Sequence, residues 1–587
     1  MKLHRCRIVT SLFICFLLTQ SLLGQTWTKQ LAKGVTLTQQ VTNSSKPLVI
    51  NVLTIDPKIP GVRLKAVIAC DKVIDDDDTK GREIVSSMAK RLNAAVAVNA
   101  DFFPFTGDML SLHVTDGEIV SEPWQGRVVF GITADGRPLF DKVGFVGKVM
   151  LPDGRSFEVR GVNRSRGKNE IVLYTPRYSR STGTSKDGVE VVVKLDNGPV
   201  RIGSPVTGVV SEILTNSGNT RLSEGCIILS GAGMASVPLS KWLSVGTSIT
   251  FDLKLNGVFT TGWDNVVEAV GGGPCLLKNG EKFIDAEEEG FSPSFSTTSH
   301  PRTALGATAD GKVIIVTVDG RQSVSSGMSL DRLAELMKSL SCVNAINLDG
   351  GGSTTIATCF GVLNSPSDGS ERPVANGLAV LADPLDIPET VPDFAIVPTC
   401  DLVQTGSIVP LALVDAQGQP LRDELCNQAV WTSLGGAGFV DQSGRFFGLR
   451  EKKGSVAVRI GQKTANLPIN VVAASVYKIS AMLDDDPSGD TNRSILTVTI
   501  RDQYGKAGAG RKVDISVTGG SSDCMSLVTS SDGTASAIIT WDPSRPGTPQ
   551  VTISSEGLSP ITLTRPIPRD EPEPDTSDQA PASVDSP

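Results

Sequence analysis

Histidine is nearly missing from this chain, with three among 587 residues. None stands in an H-x-H or otherwise clustered spacing, which argues against a His-ligated metal centre. Cysteine is sparse at 10, and no C-x-x-C pair occurs, so the usual structural zinc spacings are excluded. No metal and no cofactor is expected. After the N-terminal segment no apolar run is long enough to span a membrane. Neither sign of charge dominates: a net charge of -8 over this length argues against nucleic acid or an anionic membrane as principal partner. Aromatics are only 5%, whereas glycine reaches 59. With recurrent Val, Thr and Ser, that bias predicts strands and turns rather than long helices. The length predicts about three or four domains.

Residues 1–24 read as a secretory signal peptide. Lys2, His4, Arg5 and Arg7 precede an apolar stretch over 8–23, and small residues near Ser21 and Gly24 allow cleavage before Gln25. No Cys stands at the end of that stretch, so no lipid anchor is expected. The mature protein would be secreted, periplasmic or at the cell surface. Cleavage removes Cys6 and Cys15. Of the rest, Cys342 with Cys359 and Cys400 with Cys426 are candidate pairs in an exported protein.

Residues 27–384 carry the density of chemistry. Helical spacing over 80–92 runs into a short apolar strand over 94–99, ended by Asp101-Phe102-Phe103-Pro104. A strand over 313–318 is closed by Asp319-Gly320. Ser329 can cap a helix whose apolar positions are Leu330, Leu333, Ala334, Met337 and Leu340. A strand over 343–348 follows, closed by Asp349-Gly350. This strand–helix–strand order predicts two parallel strands ending at one sheet edge, with Asp319 and Asp349 in one crevice. Asn99 and Asp101 would join them if their strand is parallel too. Further strands are expected over 190–195 and 248–255. The four acids Asp75 to Asp78 read as a solvated loop and His113 as structural.

Beyond a Pro-rich linker (Pro384, Pro388, Pro392) the texture becomes all β. Residues 388–473 resemble a bacterial immunoglobulin-like domain, on Ala429-Val430-Trp431-Thr432-Ser433 and Gly438-Phe439-Val440-Asp441. Residues 474–566 resemble an invasin-type immunoglobulin-like module. Residues 567–587 are an acidic, Pro-rich tail with almost no apolar content, hence disordered. The expected fold is an α+β mixed-sheet catalytic domain followed by two all-β immunoglobulin-like sandwiches. On that division, residues 25–386 alone should be active.

Two stretches stand out: His300-Pro301-Arg302-Thr303 and Asn347-Leu348-Asp349-Gly350-Gly351-Gly352-Ser353. They combine a guanidinium fork, an imidazole, a carboxylate and a glycine turn. Arg302 can give phosphate two parallel hydrogen bonds, which Lys cannot. The Gly350 to Gly352 turn can bring backbone N–H groups to an anion. His300 is the main imidazole candidate for an acid. A carboxylate can attack, or activate water to attack, an anomeric carbon.

Seven pieces in order resemble the phosphodiester glycosidase family. They are Asn99-Ala100-Asp101-Phe102-Phe103; Asn163 with Leu173-Tyr174-Thr175-Pro176; Gly271-Gly272-Gly273-Pro274; His300 to Thr303; Asp319-Gly320-Arg321; Asp349 to Ser353; and Asn364-Ser365-Pro366-Ser367-Asp368 with Glu371-Arg372. The resemblance implies hydrolysis of a sugar-1-phosphodiester at the glycosidic C–O bond. It implies Asp349, Asp319 and His300 as catalytic. It implies Arg302, Asn99, Asp101, Arg321, Gly350, Gly351, Gly352, Ser353, Asp368, Glu371 and Arg372 as contacts to substrate or phosphate. Which carboxylate is nucleophile or base stays open. The expected partner is a sugar phosphodiester or a phosphodiester-linked envelope glycan. The competing expectations are a non-catalytic glycan-binding or adhesion protein and a metal-dependent phosphodiesterase.

Overall fold

Three strands of one sheet bring most of the motifs to a single edge. The structure is a computed structural model that describes residues 24–565, except 76–78, 105, 125, 387–389, 400–402, 474–476, 503–506 and 546. The expected signal peptide (but for Gly24) and acidic tail, Asp76 to Asp78 and Cys400 lie outside the described residues. Val313–Val318, the helix Leu330–Ser339 and Cys342–Asn347 follow in the predicted order. The Ser329 side chain caps the helix by accepting from Arg332 N. Its buried Leu330, Leu333, Ala334 and Met337 pack over Leu276, Ala304 and Val316 of the sheet.

The two strands run parallel but are not neighbours, because Arg302–Thr308 lies between them, antiparallel to both. An antiparallel strand between two parallel ones begins where they end. Pro301 and Arg302 therefore start at the edge where Asp319 and Asp349 finish.

Asn99 arrives by a different route from the one expected. Its strand, Val96–Asn99, lies in a second sheet, antiparallel to Ile356–Thr358 and Asn376–Leu381. The sheets pack face to face, with Val96, Val98 and Ala100 against Leu305, Ile346 and Leu348. Burying each large aliphatic side chain contributes roughly 1.5–3 kcal/mol. That contact, rather than a shared sheet, brings Asn99 and Asp101 to Asp349.

Strands account for 48% and helices for 9% of the described residues, so the molecule is mostly β with several sheets. Residues 113–271 account for much of this. They build a twelve-stranded sheet, including Val189–Leu195 and Ser248–Gly257, around a core of Leu229, Phe251 and Trp263. The helix expected over 80–92 shortens to Val85–Arg91.

The segment 388–473 has a core of its own around Val409, Trp431 and Val458, yet it is joined to the rest of the first unit. Its strand Val430–Leu434 pairs with Gly361–Val362 through Val362 and Ser433, so its strands extend the sheet that holds Val96–Asn99. Gln442 N donates to Gln39 Oε1 at 2.9 Å, and Lys29 Nζ to Asn427 O at 2.7 Å. The short Gly361–Val362 strand would otherwise be a bare edge. The chain up to Ala473 forms one compact unit and that from Ala474 a second. The second unit has two four-stranded sheets around Leu496, Val498, Val513, Ile539, Trp541 and Ile553. The expected Cys342–Cys359 pair is absent. Both thiols are free, Cys342 packed under the helix and Cys359 beside Arg459 in the other sheet.

Candidate active site

Of Asp101, Asp319 and Asp349, Asp349 is the carboxylate that the fold leaves accessible. Its backbone is pinned from two segments: Asp349 N donates to Ala100 O at 2.9 Å, and Asp349 O accepts from Asn99 Nδ2 at 2.6 Å. The Asn99 Oδ1 accepts from Thr303 Oγ1 (2.9 Å) and Thr355 N (3.1 Å), so its amide is wholly engaged in joining strand ends. The Asp349 side chain is half-buried and accepts from Gly350 N at 2.9 Å. Burial raises its pKa to about 6, against the pull of Ser353, the Gly350 N–H and Arg372. A carboxylate poised there is charged at neutral pH yet basic enough to take a proton.

Asp101 and Asp319 are 1% exposed, and both oxygens of each are engaged. Asp101 accepts from Phe102 N (2.8 Å) and Ser111 N (2.6 Å). Burial raises its pKa to about 7, and the nearby Asp349 charge pushes the same way. Asn376 links its backbone to His113: Asn376 Oδ1 accepts from Asp101 N at 2.8 Å, and Asn376 Nδ2 lies 3.1 Å from His113 Nδ1. Burial lowers the His113 pKa to about 3, so the ring is a neutral support.

Asp319 accepts from Asn364 Nδ2 and Ser365 N, each at 2.8 Å. Burial raises its pKa to about 7 as well. Its carboxylate organises the start of the 364–372 loop.

Arg302, the expected phosphate fork, is drawn into the sheet edge. Arg302 is 1% exposed, and its Nε and Nη2 donate to the carbonyls of Met328 (2.9 Å), Phe295 (2.7 Å) and Thr298 (2.9 Å). It staples the 295–300 segment to the sheet edge. Arg321 is the exposed guanidinium, with Nη2 3.1 Å from His300 Nδ1. A guanidinium only donates, so His300 Nδ1 accepts and the ring proton sits on Nε2. Burial and the charges of Arg302 and Arg321 hold the His300 pKa below its ordinary value. In that state His300 presents a neutral N–H donor through Nε2. Among the described residues neither Arg302 nor Arg321 has a carboxylate partner, which leaves local positive charge for an anion.

The glycine turn works through close approach. A Cβ on Gly350 would lie 2.7 Å from Pro301 O, and one on Gly351 would lie 3.2 Å from Arg321 Nη2. One on Gly352 would collide with Arg372 Nη2 and the Asp368 carboxylate, which pair at 2.6 Å. The N–H groups, expected to cradle an anion, are mostly engaged: Gly350 N to Asp349 Oδ1, Gly351 N to Pro301 O (2.9 Å) and Ser353 N to Gly350 O (3.1 Å).

Glu371, expected at the substrate, lies at a helix end. Its carboxylate accepts from Ser86 N (2.9 Å) and Ser86 Oγ (2.5 Å) in the first turn of Val85–Arg91, where a negative charge suits the helix end. The Asn163 motif forms a buried bracket with Thr175 in the twelve-stranded sheet. Gly271, in contrast, belongs under the site, since a Cβ there would lie 2.6 Å from Asp101 Oδ2.

The local sequence gave no signal for Arg127. It lies over the rings of Phe291 (4.4 Å), Trp124 (5.3 Å) and Phe102 (5.5 Å), beside Asp101. Four buried polar atoms without a partner lie in these segments: Arg127 Nη1, Ser296 Oγ, Asn347 Oδ1 and Thr355 Oγ1. Such a concentration marks a site rather than a finished core. Cavities of about 670 and 630 Å³ lie elsewhere.

Fold and site together define a carboxylate centre beside unneutralised guanidinium. Residues 204–381 match the family model described as phosphodiester glycosidase. The match contains every motif from Gly271 to Arg372. An SPbeta prophage-derived uncharacterized protein, YomE, of Bacillus subtilis is 44% identical over 81 residues, 14% of this chain and 13% of that protein. The mouse N-acetylglucosamine-1-phosphodiester alpha-N-acetylglucosaminidase is 30% identical over 137 residues, 20% of this chain and 26% of that enzyme. The chain thus spans about a quarter or less of these relatives. A solved hypothetical protein from Synechocystis shares the fold, with TM-score 0.50 and 23% identity over 61% of this chain and 64% of that one.

Proposed function

We propose that the protein is an exported glycosidase that hydrolyses the glycosidic C–O bond of sugar-1-phosphodiesters, N-acetylglucosamine-1-phosphodiesters among them. The observation that carries this reading is the half-buried Asp349 carboxylate, with its pKa near 6, at an edge shared with Arg321 and His300. Asp349 attacks the anomeric carbon or takes a proton from the water that does. The C–O bond breaks, and its electron pair leaves with the phosphomonoester. That leaving group is the base of a strong acid, so a protonated imidazole is not needed. The Arg321 guanidinium and the His300 Nε2–H face its developing charge. Asn99, Asp101 and Asp319 hold the strand ends and the loop. The β unit from residue 474 onward, read as immunoglobulin-like, serves reach or attachment at the envelope. No helix among the described residues is long and apolar enough to cross a membrane.

The test is incubation with UDP-N-acetylglucosamine and simple sugar-1-phosphodiesters in isotopically labelled water, with products weighed by mass spectrometry. Label in the free sugar is expected. Label in the phosphate would mean P–O cleavage and a phosphodiesterase. Saturable binding without turnover would favour a glycan-binding protein.

A further inference from the structure

The irregular loop 364–372 carries Asp368 and Arg372, the pair that packs over Gly352. Its first residues are tied to the sheet edge through Asp319 and through Gln322 Nε2, which donates to Ser365 O at 2.6 Å. Its far end is tied by Glu371 to Ser86. The stretch between is held from the 388–473 segment. Arg450 Nη2 donates to Pro366 O (3.2 Å) and Ser367 O (3.3 Å), and its Nη1 to Gly436 O (3.4 Å). Lys452 Nζ donates to Gly369 O at 3.2 Å. Gly436 meets the Gly369 carbonyl so closely that no Cβ fits there. Three carbonyls of the loop, those of Pro366, Ser367 and Gly369, thus face two cations from a segment that the sequence reads as a spacer.

We propose that residues 436–452 are a working part of the site: Arg450 and Lys452 are positioning residues that fix the 364–372 loop and so set Arg372 over Gly352. Arg450 also lies close enough to Asp319 to favour its charged form, which tightens the same loop from its other end. The positional claim stands on geometry. Its catalytic consequence rests on the glycosidase reading, in which Arg372 lies beside Asp349.

The experiment uses the full chain with Arg450→Ala and Lys452→Ala. Lys452 is exposed, so its variant folds even if the partly buried Arg450 does not tolerate truncation. Lys453→Ala, an exposed neighbour, is the control for loss of one charge. Hydrogen exchange should rise across 364–372 in both variants and stay at wild-type level elsewhere and in the control. On a sugar-1-phosphodiester, KM should rise on the order of tenfold with kcat much less affected, the pattern of a displaced binding group. Wild-type exchange across the loop in folded variants, or an unchanged KM with an active wild type, would overturn the proposal. A wild type inactive on every sugar phosphodiester, with a loosened loop in the variants, would remove the glycosidase reading and leave the positioning role supported.

Discussion

At the scale of single residues, accessibility separates the acids that sequence alone could not rank. Asp349→Asn keeps an oxygen for the Gly350 N–H and removes the charge. Turnover should fall by about a hundredfold or more with the thermal midpoint unchanged. A purified variant with more than about a tenth of wild-type rate would remove Asp349 from the chemistry. The same group predicts the acid limb of the rate profile. Its folded pKa is raised to about 6 and its active form is the anion, so kcat/KM should decline as pH falls through about 6. A limb near pH 4 would mean an unperturbed carboxylate. The two arginines should part company. Arg302→Lys loses a buried fork that bridges three carbonyls, each bond contributing roughly 1.5–3 kcal/mol, so it should lower the melting temperature. Arg321→Ala should leave melting unchanged and weaken inhibition by inorganic phosphate. Equal melting for both variants would contradict this division.

At the scale of elements, the glycine run 350–352 is the informative piece. Each of its members meets something different, and the substitutions should differ accordingly. Gly350→Ala drives a Cβ against the Pro301 carbonyl at 2.7 Å, a backbone atom that cannot yield, so the protein should lose stability. Gly352→Ala meets only the ends of Arg372 and Asp368, which can swing aside. Its fold should survive while KM rises. Melting curves and kinetics of the two variants check this, and a destabilised Gly352→Ala with normal KM would refute it. The run was legible as important because three glycines are costly to order. What they approach was not, since Pro301, Arg321 and Arg372 come from three other segments.

For the whole molecule, the division of the chain decides where it can be cut. Residues 25–386 would lose the strand that covers Gly361–Val362, the Gln39–Gln442 contact and the cations on the 364–372 loop. That fragment should be insoluble or inactive. Residues 25–473 keep the first unit intact and should retain full rate on a small sugar phosphodiester. Activity in the shorter fragment would show that the shared sheet is dispensable. The local elements of the site were determined by the sequence itself. Apolar runs ended by Asp-Gly marked the strand ends at Asp319 and Asp349, and Ser329 with its spaced apolar residues marked the helix between them. Those signals lie within a few residues of one another, where hydrophobic period and turn chemistry act. Tertiary structure alone decided that Arg302 and Asp319 are buried and satisfied, that Arg321 and Asp349 stay open, and that the following β segment completes the loop. Each of those outcomes depends on which carbonyl or cation, tens to hundreds of residues away, comes to lie against the side chain. Residue type and spacing carry no record of that distance.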